Sequence, residues 1–358
     1  MERQTDGIAP DHRAGTPRDL AQRQPLLRIE DLTIGVAGAK PIIDGLNLEI
    51  NAGEVVALVG ESGSGKSLTA LSLMRLLPAG VSATGGRILF DGADVLGMSQ
   101  EELTHLRGGR ISMIFQQPQM MLDPTSRVGT QVAESLRIHK KPERSAVRDF
   151  VVKLLSDVGI SEPALRAQCF AHELSGGMAQ RVMMAAAMSG GSNLLVADEP
   201  TTALDVTIQV QILKLLDDQR RRRNLAILLI THDLSIVSVL ADRVAVMYAG
   251  RIVEEGPTRT VLRSPRHPYT NALIQCSLLK TGPDGTLFSI PGSTSRVQDI
   301  EKGCRFQPRC PTAAASGLSE RCSHSEPALD AYDAHCKCRC WATAALPHPA
   351  VIAQAVKP

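Results

Sequence analysis

Residues 55–67 read Val55-Val56-Ala57-Leu58-Val59-Gly60-Glu61-Ser62-Gly63-Ser64-Gly65-Lys66-Ser67, an apolar run followed by a glycine-rich loop that ends in lysine and serine. The run suits a buried strand, and residues 68–77, which end at Pro78, carry helical spacing. In a strand–loop–helix context the glycines let the backbone wrap closely around phosphates, and the N–H groups at the helix start point at them. Lys66 can reach the terminal phosphates, and the Ser67 hydroxyl can ligate magnesium. The alternative is a Gly/Ser-rich surface turn, which the full pattern in this context outweighs. Gly60, Ser62, Gly63, Ser64, Gly65, Lys66, Ser67 and Leu68 are the expected contacts of a nucleoside triphosphate.

The chain of 358 residues allows two domains, or one large domain with appendages. A formal charge of +2 leaves no broad electrostatic footprint for nucleic acid. The run Arg220-Arg221-Arg222-Arg223 reads as a solvated helix C-terminus favoured by the helix dipole. Residues 1–25 are polar and read as a disordered leader without the apolar stretch of a secretory signal. No run of about eighteen apolar residues occurs, so membrane association is expected to come through a partner. Of eight cysteines, six fall between Cys304 and Cys340, which in an intracellular protein suggests metal or cluster binding before disulfides.

Residues 26–60 alternate short apolar runs with turn signals at Ala37-Gly38, Asp44-Gly45 and Asn51-Ala52-Gly53, and read as strands feeding the loop. Further strands are expected at 86–90, 111–115, 194–197, 225–230 and 244–247. From about 131 to 189 the pattern is helical, clearest at 149–158 and 176–188, and more helix is expected over 257–279. This describes an α/β core interrupted by a mostly helical insertion. Gly282-Pro283-Asp284-Gly285 and Pro291-Gly292-Ser293 mark a linker into the Cys-rich tail.

Leu194-Leu195-Val196-Ala197-Asp198-Glu199 is an apolar strand ending in two acids. A phosphate loop needs a carboxylate on a neighbouring strand end to hold magnesium, which fits Asp198; Glu199 is then placed to polarise an attacking water. In Leu174-Ser175-Gly176-Gly177-Met178-Ala179-Gln180-Arg181, Ser175 is a good N-cap, and Gly176 and Gly177 leave helix amides open to an anion.

Taken together, these motifs resemble the ATP-binding cassette (ABC) family over about residues 26–256. The resemblance implies a P-loop NTPase cassette with an α/β core, an antiparallel β subdomain and a helical subdomain at about 117–190. It also implies that two cassettes pair head to tail, the Ser175–Gly177 loop of one facing the γ-phosphate held by the other. Gln116 matches the glutamine that touches magnesium and water. Ala203-Leu204-Asp205 matches the loop that communicates across the dimer, and His232 matches the histidine that contacts the γ-phosphate. Where the family stacks an aromatic on adenine this chain has Val36, which costs about 1 kcal/mol of stacking.

Arg266-His267-Pro268-Tyr269-Thr270-Asn271-Ala272-Leu273 and Gly303-Cys304-Arg305-Phe306-Gln307-Pro308-Arg309-Cys310-Pro311 resemble the extension of peptide- and nickel-importer ATPases. The extension is expected over 257–345, with its Cys-rich segment at 303–341 and a loose tail at 346–358. Cys304, Cys310, Cys322 and Cys340 match the family spacing for a four-iron cluster, with zinc as the alternative. Cys336 and Cys338 alternate with Cys340 and are substitutes for the fourth ligand. The resemblance implies an ATPase subunit of a bacterial peptide importer on the cytoplasmic face of the inner membrane. Its implied partners are a second ABC ATPase subunit, two integral membrane permease subunits and an extracytoplasmic substrate-binding protein. Nickel or glutathione import and a non-transport ABC ATPase are the alternatives.

Overall fold

The computed structural model describes residues 24–116, 118–140, 142–201, 205–278, 287–292, 300 and 302–343. The expected leader (apart from residues 24 and 25), Ala203 and Leu204, the linker residues 282–285 and the tail 346–358 lie outside the described residues. The strands are β1 (Leu27–Val36), β2 (Ile43–Ile50), β3 (Val55–Val59), β4 (Val81–Phe90), β5 (Ala93–Asp94), β6 (Ile111–Ile114), β7 (Leu194–Asp198), β8 (Ala226–Thr231), β9 (Arg243–Tyr248), β10 (Arg251–Pro257), β11 (Asp330–Asp333) and β12 (Cys336–Cys338). They form two sheets, ordered β2-β1-β4-β5 and β11-β12-β10-β9-β3-β8-β7-β6.

The first sheet is antiparallel. In the second, β6, β7, β8, β3 and β9 run parallel, and β10, β12 and β11 add an antiparallel flank. β3 lies at the centre and is buried on both faces, as its unbroken Val-Val-Ala-Leu-Val run requires. Val55, Ala57 and Val59 face one core with the helices Val128–His139, Arg144–Asp157 and Gly176–Ser189. Val56 and Leu58 face the other, which is filled by residues of β1, β2 and β4.

Several local expectations shift. The helix after the loop spans Lys66–Ser72 rather than reaching residue 77. Arg75 adopts φ +50°, and the carbonyls of Met74 and Arg75 accept from the Arg107 guanidinium at 2.9 and 3.2 Å. Asp44-Gly45 is an irregularity inside β2 and not a turn: the β1–β2 register slips there, and Gly45 takes φ +65°. The helix expected over 257–279 is two helices, Thr258–Arg263 and Pro268–Ser277. The break is held by Glu254, whose carboxylate accepts from the Arg266 and His267 amides at 2.7 and 3.0 Å, while the His267 ring caps Tyr269.

The extension is not a separate lobe. β12 pairs with β10 (Glu254 opposite Cys338), so the hairpin β11–β12 lengthens the main sheet. Phe306 is 2% exposed, with its ring 5.2 Å from Tyr248 and 5.4 Å from Tyr269. Such edge-to-face contacts stabilise by about 0.5–1.5 kcal/mol each beyond area burial. The extension therefore shares the core of the cassette.

Candidate nucleotide site

The parallel register brings four strand ends to one edge of the sheet. Val59 lies beside Thr231, Asp198 beside Ile230, and Ala197 beside Ile114. The residues that follow β3, β6, β7 and β8 therefore converge beyond the carboxyl ends of the strands, where open α/β sheets form ligand crevices.

Backbone geometry explains the loop's glycines. Gly60 has φ +153°, and a Cβ there would fall 2.1 Å from the Met247 carbonyl oxygen. Gly65, which precedes the helix, has φ +108°, and its Cβ would sit 2.8 Å from Met247 Cε. Gly63 has open space around it, while Ser62 and Ser67 are exposed and Leu68 is half-buried. Ser64 and Lys66 are buried beneath. Lys66 Nζ donates to the Gly60 and Glu61 carbonyls at 2.8 and 2.9 Å, and to Ser64 Oγ at 3.4 Å. Burial pulls the lysine pKa down, against the opposing pull of Glu199, Asp198 and Glu61.

Asp198 ends β7, buried and hydrogen-bonded to the Ser67 side chain; burial raises its pKa, with the Glu199 charge adding to the effect. A buried carboxylate beside a hydroxyl is a hard-oxygen donor set that suits magnesium. Glu199 takes φ +47°, a strained conformation for a non-glycine residue, and its amide donates to the Ile230 carbonyl at 2.8 Å. One carboxylate oxygen lies 2.9 Å from His232 Nδ1, and the other accepts from Gln116 Nε2 at 2.7 Å. Gln116, Glu199 and His232 are thus one connected group beside Lys66, Ser67 and Asp198.

Ser175 is not part of this group. It caps the helix Gly176–Ser189, its hydroxyl accepting from the Met178 amide at 3.3 Å, and it is exposed, with Gly176 and Gly177 half-buried. The helix is tied to the turn after Glu199 by Gln180 Nε2, which donates to the Pro200 carbonyl at 2.6 Å. Asp205 caps the next helix, Val206–Arg223. Val36 ends β1 and is 46% exposed.

Cys304, Cys310, Cys322 and Cys340 line one small cavity together with Phe306, His267 and Trp341. Burial, helped by the neighbouring thiols, pushes Cys304 up to about 12 and Cys340 to about 11, and burial also raises Cys310 and Cys322. Cys336 and Cys338 are buried on β12, Cys336 against Gly256 and Cys338 opposite Glu254. Among the described residues, no three His, Cys, Asp or Glu side chains meet closely enough to hold a single metal ion. Sequence reading passed over Glu61, Tyr269 and Arg309, which meet at the phosphate loop across more than two hundred residues.

A strand–loop–helix phosphate site, with two acids at the carboxyl end of β7 and β8 lying between that strand and β3, is the arrangement of a P-loop ATPase. Residues 43–202 match the family model described as ABC transporter, and residues 253–316 match that described as oligopeptide/dipeptide transporter, C-terminal region. The probable D,D-dipeptide transport ATP-binding protein DdpD of Escherichia coli is 43% identical over 323 residues, covering 89% of this chain and 97% of that protein. The oligopeptide transport ATP-binding protein OppD of the same organism is 44% identical, covering 86% and 91%. Among solved structures, CbiO1 of Clostridium perfringens, part of an ABC transporter complex, superposes with a TM-score of 0.59 at 29% identity, covering 67% of this chain and 91% of that one. The cassette MJ0796, solved as a dimer in a post-hydrolysis state with ADP and phosphate, gives 0.58 at 26% identity, covering 65% and 99%. The chain belongs to the family of ABC transporter ATP-binding proteins, in the branch of the dipeptide and oligopeptide transporters.

Proposed function

We propose that this chain is the ATP-hydrolysing subunit of a peptide importer, with residues 26–256 as the ATPase domain and 257–345 as the extension. The observation that carries the reading is the union, in one chain, of the connected Gln116–Glu199–His232 group with an extension matched to oligopeptide and dipeptide transporters. No helix among the described residues is long and apolar enough to cross a membrane. The chain then acts peripherally at the inner membrane, paired with a second cassette and bound to two permease subunits, with an external binding protein delivering cargo. The test is to purify the complex with its membrane subunits into vesicles and measure ATP hydrolysis with and without peptide-loaded binding protein. Hydrolysis that stays unresponsive to every peptide-loaded binding protein encoded beside it would overturn the importer reading.

In the proposed mechanism the loop amides and Lys66 hold the phosphates, and Lys66 exchanges its bonds to loop carbonyls for bonds to phosphate oxygens. Ser67, Gln116 and Asp198 would hold magnesium, which neutralises phosphate charge when bound. Glu199 orients the attacking water and receives its proton, and His232 stabilises charge at the γ-phosphate. Ser175, Gly176 and Gly177 serve the nucleotide on the partner cassette. Lys66→Ala removes a charge-assisted hydrogen bond worth about 1.5–3 kcal/mol, so ATP affinity should fall about 10- to 100-fold. Titration calorimetry with magnesium checks this, and unchanged affinity would show that the loop is not the site.

The donor set of four cysteines around one cavity supports an iron–sulfur cluster on Cys304, Cys310, Cys322 and Cys340, with zinc as the alternative. Cys340 lines that cavity, and Cys336 and Cys338 are not among its lining residues. The group would supply ligation that joins the segments carrying these four residues. Protein purified without oxygen should be brown and carry about four irons per chain. Cys310→Ser should bleach it while ATP binding survives. A colourless preparation with stoichiometric zinc would replace the cluster with the zinc reading.

A further inference from the structure

Glu61 occupies the second position of the phosphate loop, and every polar group of its main and side chain is engaged. Its carbonyl accepts from Lys66 Nζ at 2.9 Å. Its amide donates to Tyr269 Oη at 2.8 Å. Its carboxylate receives both terminal nitrogens of Arg309, at 2.7 and 3.0 Å, in a planar two-pronged pair. Tyr269 and Arg309 both lie in the extension, about two hundred residues and more further along the chain.

Neither partner is a loose surface group. The Arg309 side chain is 5% exposed, against 28% for Glu61. Its Nε donates to the Pro291 carbonyl at 2.7 Å, one Nη donates to the Ile290 carbonyl at 3.3 Å, and the guanidinium carbon lies 5.8 Å from the Tyr248 ring centroid. The Tyr269 ring is fully buried, 4.6 Å from Tyr248. The short turn Gln307–Arg309 that aims the guanidinium lies between Cys304 and Cys310, and the amides of Gln307 and Cys310 bond to the carbonyls of Cys304 and Gln307. The backbone that turns two thiols into the cysteine-lined cavity therefore also fixes Arg309.

An acid in a loop built for phosphate works against its ligand unless its charge is matched. Arg309 matches it. The loop amides must also converge on the phosphates, and small displacements of such donors weaken binding strongly. Tyr269 fixes the peptide plane at the loop's entry.

We propose that Tyr269 and Arg309 are positioning residues for the phosphate loop, acting through Glu61, so that the fold of the cysteine-bearing extension sets this chain's affinity for nucleotide. The inference rests on the loop being the ATP site, which Lys66→Ala tests separately. The experiment uses the full chain assembled with its partner subunits, and reads Mg-ATP affinity, KM and kcat for Tyr269→Phe, Arg309→Ala and the double variant Glu61→Gln with Arg309→Ala. Tyr269→Phe keeps the ring packing and should raise Kd and KM about three- to tenfold with little change in kcat. Arg309→Ala should raise them about tenfold or more. Adding Glu61→Gln to Arg309→Ala removes the stranded charge and should recover most of that loss, which a merely structural role for Arg309 would not allow. If Arg309→Ala does not fold, Tyr269→Phe decides alone. Affinities within twofold of the parent for Tyr269→Phe, or no recovery in a folded double variant, overturn the proposal. Loss in Lys66→Ala without loss in these variants would sink this inference and leave the ATP site standing.

Discussion

Glu199→Gln should lower ATP turnover of the assembled transporter by about 10²–10⁴-fold while nucleotide binding is kept. The substitution is isosteric and sits at a backbone already held at φ +47° by the strand end, so it adds no new strain. The amide keeps one acceptor for Gln116 or His232, whose donors reach the two carboxylate oxygens at 2.7 and 2.9 Å. It cannot take a proton from water. The step that needs a base therefore fails, while Lys66 and the loop amides are untouched. The affinity for ATP should stay within about threefold of the parent, and an ATP-bound closed dimer should persist on size-exclusion chromatography. Turnover within threefold of the parent would remove Glu199 from the proposed role and leave His232 or Gln116 as the group to examine.

The parts of this site that were legible in the sequence are those whose chemistry is local. The loop glycines, Lys66 and Ser67 lie within eight positions of one another, and the strand Leu194–Asp198 announces its own acids. Gln116 and His232 were named only through family resemblance, since a single glutamine or histidine at a strand end carries no signal of its own. Adjacent parallel strands of matched register are what bring them to Glu199. The misread elements fail for non-local reasons. The helix beginning at Lys66 stops at Ser72, and the Arg107 guanidinium supplies donors to carbonyls beyond its end, which no local pattern could show. The alternation of Cys336, Cys338 and Cys340 offered the first two as substitutes for the fourth ligand, and Cys336 and Cys338 lie on the strand β12. Pairing with β10 then buries the first two in the sheet, and Cys340 lies beyond the strand end at the cavity. The Glu61–Arg309 pair spans 248 positions, and an acid–arginine pair at that range has no sequence signature.

Ser175→Arg should cut turnover by at least about 10²-fold, on the scale of losing a transition-state donor, without unfolding the chain or weakening ATP binding at its own loop. Ser175 is exposed, and among the described residues its side-chain bond goes only to the Met178 amide. Losing that cap costs about 1 kcal/mol, and a cation at a helix N-terminus costs about 0.3–1 kcal/mol more. That sum is small beside a domain stability of about 5–15 kcal/mol. The long side chain would instead fill the space in front of the Gly176 and Gly177 amides, which the proposed dimer needs for the partner's γ-phosphate. The lesion should act in trans. In a mixed dimer of one altered and one parent cassette, the site that fails is the one whose phosphate loop belongs to the parent copy. Pairing Ser175→Arg with Lys66→Ala separates the cases: with both changes on one cassette, one composite site loses its phosphate loop and the other loses its facing serine, whereas placing them on opposite cassettes concentrates both lesions in a single site and spares the other. The second arrangement should therefore retain turnover at the spared site, and the first should retain none. Equal turnover in the two arrangements, or full hydrolysis by the parent chain at dilutions where sedimentation shows a monomer, would rule out a site shared between two cassettes.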